Sequence, residues 1–219
     1  MRALRIQHAG FTFVEVCISL TVLALMLGAI GTTVFTSKRT YQDGMTVAAI
    51  EARARRAIDR IAHEMVGARS DFFTPALVDN TTYSSLRFTT CEGLVAGAMQ
   101  WSTPTQINIV ADARDPNDGV DNDGDGLTDE CRIVLARNAG AADQIQAVLV
   151  DQVREYLEGE NGAVNLLDDN GNGLVDERGL SFTYDDESET LTIRLTLEAR
   201  DQQNRLVTRS VETAVHMRN

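Results

Sequence analysis

Histidine, proline and aromatic side chains are scarce in this 219-residue sequence, and its charge is strongly one-sided. The three histidines are His8, His63 and His216, and none belongs to a Ser-His-Asp order or a metal-protease helix. No phosphate-cradling glycine loop is present either. The clustered acids Asp185, Asp186, Glu187 and Glu189 fall in a turn between strand-like runs, which is poor placement for a hydrolase built on acidic pairs. The sequence therefore reads as non-enzymatic. A formal net charge of −12 argues against gripping nucleic acid, which needs a basic face. Of three cysteines, Cys17 lies in an apolar run, leaving Cys91 and Cys131 as a candidate disulfide if the domain is extracytoplasmic. The length suits one sizeable globular domain plus an additional element.

Charge is also missing from the amino-terminal region. From Phe11 to Phe35 there are 25 residues, and Glu15 is the one charged side chain among them. As a helix this stretch is roughly 37 Å long, enough to cross a bilayer core. An acid at mid-bilayer costs about 2.5–3.5 kcal/mol, so Glu15 calls for a reason. Arg2 and Arg5 precede the run, and Lys38 and Arg39 follow it. A cleaved secretory signal fits poorly, because the run is long and no A-x-A site follows. An ordinary single-pass anchor accounts for the length but not for the glutamate.

The combination of a short basic leader ending in Gly10, then Phe11, four residues to Glu15 and a long apolar run resembles the prepilin signal of type IV pilins and type II secretion pseudopilins. The resemblance implies cleavage after Gly10 by a membrane-embedded prepilin peptidase and methylation of the new terminus at Phe11. It also implies pairing of Glu15 with the terminal amine of a neighbouring subunit. A buried carboxylate is tolerated when a cation pairs with it. The basic leader would stay cytoplasmic. This divides the chain into a leader (1–10), a transmembrane assembly helix (11–36), its amphipathic continuation (37–67) and a β-rich globular domain (68–219).

The continuation rests on periodicity. Val47, Ile50, Ala54, Ala57, Ile58, Ile61 and Met65 recur every three or four residues and form one apolar stripe. Arg53, Arg55, Arg56, Arg60 and Glu64 lie on or beside the other face, where a solvated surface with i,i+4 pairs is the simple reading. The spacing predicts one helix over 11–66, loosened near Asp43-Gly44. Strand-like runs follow at 85–90, 106–111, 132–137, 145–151, 180–184, 190–199 and 206–215. In 190–198, Leu191, Ile193, Leu195 and Leu197 alternate with Thr192, Arg194, Thr196 and Glu198, predicting a half-buried antiparallel strand. The expected fold is α+β: a long amino-terminal helix packed on an antiparallel sheet, as in pilins. The segment LTIRLTLEARDQQNRLVTRSVETAVHMRN and the arginine-rich ARARRAIDRIAHEM resemble J-type minor pseudopilins and W-type minor pilins, with another minor subunit type left open.

Two acidic stretches repeat one motif: DNDGDGLTDE at 121–130 and DDNGNGLVDE at 168–177. Their first nine positions match a calcium loop, with side-chain oxygens at positions one, three and five, glycine at six and a carbonyl at seven. These are Asp121, Asp123, Asp125, Gly126 and Leu127, then Asp168, Asn170, Asn172, Gly173 and Leu174, with Asp129 and Asp176 at the ninth place. The twelfth place, a bidentate glutamate in EF-hands, is Arg132 or Gly179, and the flanks read as strands. These are therefore not EF-hands, and a further ligand would come from Glu130, Glu177 or a residue distant in sequence. Oxygen-only ligands favour Ca²⁺, with a structural role in pinning the loops. Solvated Asx-turns are the competing reading.

The expected protein is a minor pilin or pseudopilin of the bacterial inner membrane, with its carboxy-terminal domain in the periplasm or on a filament. Its expected partners are major and minor subunits and the assembly platform, with a place in the tip complex if J-type. The rival is a membrane-anchored extracytoplasmic binding or adhesion protein that joins no filament.

Overall fold

The computed structural model describes residues 12–155 and 177–217. Helix α1 runs unbroken from Phe13 to Met65, 53 residues, through Asp43 and Gly44 without loosening. The chain divides after Gly44 into two units.

In the first unit, α1 presents large apolar side chains on all sides. Phe13, Leu20, Leu25, Leu27, Ile30 and Phe35 are all exposed. Its most apolar window has a mean hydropathy of 2.3, and none of it is buried. The helix is thus long and apolar enough to cross a membrane as a single-pass anchor. Five of its threonines are satisfied locally: the hydroxyls of Thr21, Thr32, Thr33, Thr36 and Thr40 donate to carbonyls three or four residues back, at 2.8–3.1 Å. Such internal bonding is what an apolar solvent requires of them.

In the second unit, the expected stripe is buried. Ile50, Ala54, Ala57, Ile58, Ile61 and Met65 are all under 5 % exposed, with Val47 half-buried at its upper end. The helix stops at Gly67, whose φ of +88° is left-handed, and the Ala68 amide closes back on the Met65 carbonyl at 3.0 Å.

Among the described residues ten strands follow: β1 (Thr82–Tyr83), β2 (Ser85–Phe88), β3 (Cys91–Val95), β4 (Ala98–Trp101), β5 (Thr105–Ala111), β6 (Cys131–Arg137), β7 (Ile145–Val153), β8 (Leu180–Asp185), β9 (Thr190–Arg200) and β10 (Leu206–His216). Eight of them form an antiparallel sheet in the order β1-β8-β9-β7-β6-β5-β2, with β10 paired along the whole of β9. β8 covers the first half of β9, and β7 meets its second half at Val153 opposite Leu197. β3 and β4 make a separate exposed hairpin. The fold is α+β, as expected. The alternation in β9 holds, with Leu191, Ile193, Leu195 and Leu197 at 0–1 % exposure. Thr196 departs from it: it is also buried, and its hydroxyl pairs with that of Ser210 on β10 at 2.7 Å. The core joins Ile61 and Met65 of α1 to Leu86, Phe88, Ile107, Ile133, Phe182 and the β9 leucines. Each such side chain contributes about 1.5–3 kcal/mol by leaving water.

Candidate functional site

The first acidic loop fills the connection between β5 and β6, and its two ends are joined where the Asp112 amide donates to the Glu130 carbonyl at 2.9 Å. Asp112 and Asp115, both buried, organise what lies between. Asp112 takes the Arg114 amide and guanidinium at 2.9 Å, and this arginine holds its carboxyl below the usual range. Asp115 accepts the amides of Asn122 and Asp129, each at 2.7 Å, tying the loop's middle to its end.

Within that frame the carboxylates of Asp121, Asp123 and Asp125 converge, with ligating oxygens within 4.8 Å of one another. Asp121 accepts the amides of Gly124 and Gly126 at 2.7 and 3.0 Å, and Asp123 and Asp125 each accept the amide two residues on. Gly126 is fixed by two constraints. Its φ is +90°, and a Cβ there would lie 3.0 Å from the Arg200 side chain, whose Nε donates to the Gly126 carbonyl at 2.7 Å. Leu127 buries its side chain beneath the turn. The structure does not group Asp129 with the three: its carboxylate accepts the amides of Asp118 and Gly119 at 2.8–3.1 Å. The second motif (Asp168, Asn170, Asn172, Leu174 and Asp176) lies outside the described residues.

A cavity of about 200 Å³ opens below the loop, lined among others by Asp115, Asp123, Asp125, Glu130, Asp151 and Gln152. Gln152, on a β7 bulge with φ +57°, donates to Asp125 Oδ2 at 2.5 Å and accepts from Arg53 of α1 at 2.7 Å. Arg53 also pairs with Asp151. The loop is thus linked through β7 to the helix. Glu130 is 4 % exposed, and its Oε2 has no hydrogen-bond partner among the described residues. Burial, and then its hydrogen bond with Asp115, push the Glu130 carboxyl up to about 9, while that same bond and the loop amides hold Asp115 low. Oxygen ligands grouped in this way suit a hard divalent cation.

The other expected positions fall out differently. Gly10 and Phe11 lie outside the described residues. Glu15 and Thr12 form a reciprocal cap on the first turn of α1. The Thr12 amide and hydroxyl both donate to Glu15 Oε2 at 2.9 Å, and the Glu15 amide donates to the Thr12 hydroxyl at 3.3 Å. The T-x-x-E signal for this cap stands in the sequence at 12–15. The candidate Cys91–Cys131 disulfide is not formed. Cys91 is exposed at the start of the β3–β4 hairpin, whereas Cys131 is buried where β6 pairs with β5 and β7, and both are free thiols. Burial pushes the Cys131 thiol up to about 11, which leaves it unreactive at neutral pH. The arginines of α1 follow the simple reading in part: Arg55 pairs with Glu51 and Arg60 with Glu64 at i,i+4, while Arg53 reaches Asp151 and Gln152 of β7 as described. Sequence reasoning missed Asp112, Asp115 and Gln152. The first two carried a signal, being acids spaced just upstream of the motif. Gln152 carried none, because its role depends on where β7 lies.

No protein-family model, curated protein or solved structure matches the chain.

Proposed function

We propose that this chain is a minor subunit of a type II secretion pseudopilus or a type IV pilus, of the J or W type. It is cut after Gly10, methylated on Phe11 and carried into a filament by α1. The observation that carries this reading is the single helix with two kinds of surface. Its first half is apolar and unburied, headed by Glu15, and its second half packs a stripe onto an antiparallel sheet. The partners are then the major and minor subunits and the inner-membrane platform, with the β-rich domain in the periplasm. The Asp121–Asp123–Asp125 loop, and the second loop like it, hold structural calcium.

The cap made by Thr12 and Glu15 favours a second reading, in which Glu15 merely closes the helix start of a membrane-anchored binding protein. One experiment separates the two. In the native host, the mature protein is weighed, and Glu15→Ala and Thr12→Ala are compared for incorporation into filaments. The filament reading expects loss of residues 1–10, one added methyl group, and loss of assembly in Glu15→Ala with Thr12→Ala close to wild type. An intact amino terminus, or equal and mild effects of the two variants, favours the plain anchor.

A further inference from the structure

We propose that Glu130 is a direct ligand of the cation held by Asp121, Asp123 and Asp125, so that loop and cavity form one divalent-cation site anchored to the sheet. This rests on the calcium reading of the loop.

The three aspartates do not make a complete site. Calcium takes six to eight oxygens, and the loop's ninth-position acid, Asp129, is spent on two backbone amides. The missing oxygens must come from elsewhere, and the cavity beneath Asp123 and Asp125 is the adjoining space. Most of its other acids are committed. Asp112 is engaged by Arg114, Asp115 by the amides of Asn122 and Asp129, and Asp151 by Arg53 and Arg114. Glu130 differs. It is buried at the foot of β6, it lines the same cavity as Asp123 and Asp125, and its Oε2 is the one buried carboxylate oxygen without a partner among the described residues. Buried polar atoms are paired in nearly all native structures, so a carboxylate oxygen left unpartnered in the cavity that Asp123 and Asp125 also line is a position suited to a cation ligand.

The position also fits the sequence. Glu130 is the tenth residue of the motif, ahead of the twelfth place where Arg132 now contributes to β6. Because β6 starts at Cys131, a ligand at 130 couples the ion directly to the strand pairing of β5, β6 and β7. Gln152, bonded to Asp125 and Arg53, extends that coupling to α1.

The test uses the full chain in detergent, stripped with a chelator and titrated with calcium chloride by calorimetry. The binding event abolished by Asp123→Asn defines the first loop's site, apart from any second one. For that event, Glu130→Gln is expected to weaken affinity by at least about tenfold, since ligand charge sets calcium affinity. With europium in place of calcium, luminescence lifetimes should report one more inner-sphere water in Glu130→Gln than in wild type. A residue that only positions the aspartates would not produce that change. Glu130→Asp, shortened but still charged, guards against misfolding of the amide variant and should also weaken binding. If Asp123→Asn removes the event but both Glu130 variants bind as wild type with unchanged hydration, Glu130 is no ligand and the loop reading stands. If Asp123→Asn changes nothing, or wild type binds no calcium, the loop reading fails and the assignment of Glu130 fails with it.

Discussion

Asp201 shows how one carboxylate fixes the turn between the two longest strands. It is buried at the end of β9, where its Oδ1 accepts the amides of Gln203 and Arg205 at 2.8 Å each and its Oδ2 the Arg205 guanidinium at 2.6 Å. Burial alone would raise its pKa, but the bonds from Arg205 and Gln203 outweigh that and leave the group below the ordinary aspartate range. A group lowered in the folded state contributes stability above its unfolded pKa of about 3.9 and loses it as pH falls through the folded value. Asp201→Asn should therefore lower the melting temperature at pH 7 by a few degrees. The gap to wild type should close as pH falls below 4, measured by circular dichroism melts across pH 2–7. A gap independent of pH would mean that the side chain acts by shape and not by charge. The same logic of local bonding applies to Thr12 and Glu15, where a cap legible in four residues coexists with an expected role in a neighbour's contact.

At the scale of elements, α1 was readable because one rule governs its second half: a residue every three or four positions must leave water. Ile61 is fully buried in the core that joins α1 to the sheet, while Arg55 is two-thirds exposed and pairs with Glu51. Ile61→Ala should cost about 2–5 kcal/mol in urea unfolding, against at most about 0.5 kcal/mol for Arg55→Ala. If the two were equal, the helix would not be held by its stripe. The long strands were legible for the corresponding reason: Leu191 to Leu197 alternate because one face is dry. The β3–β4 hairpin was not, since Cys91–Val95 is exposed throughout, is broken by Gly93, and turns at Ala96-Gly97, where both residues take positive φ without the usual Asn-Gly or Asp-Gly signal. The loop motif was visible as carboxylates at alternate positions. The side-chain roles were legible only in part: Glu130 stood among the candidate further ligands, but Asp129 turned to the backbone amides of Asp118 and Gly119, a choice set by the fold of the preceding loop. The β7 bulge that presents Gln152 likewise leaves no mark in composition.

For the whole molecule, acidity is both a burden and a handle. With a net charge of −12, the chain carries self-repulsion that is concentrated at residues 112–130, where the eight acids Asp112, Asp115, Asp118, Asp121, Asp123, Asp125, Asp129 and Glu130 share one stretch with Arg114. A bound divalent ion would relieve that repulsion and tie β5, β6 and β7 together, so folding and binding should be linked. At a calcium concentration a hundred times its Kd, one such site adds about 2.7 kcal/mol. For a chain of this size that corresponds to a rise in melting temperature of about 5–10 °C. The measurement compares thermal melts in excess chelator with melts in millimolar calcium. The decisive control is sodium chloride at matched ionic strength, because simple screening would also ease a crowd of carboxylates. If sodium reproduces the calcium shift, the aspartates are a charged loop and no more. If calcium alone produces it, and Asp123→Asn reduces it, the loop acts as a metal-dependent latch on the sheet, and the orphaned oxygen of Glu130 has its partner.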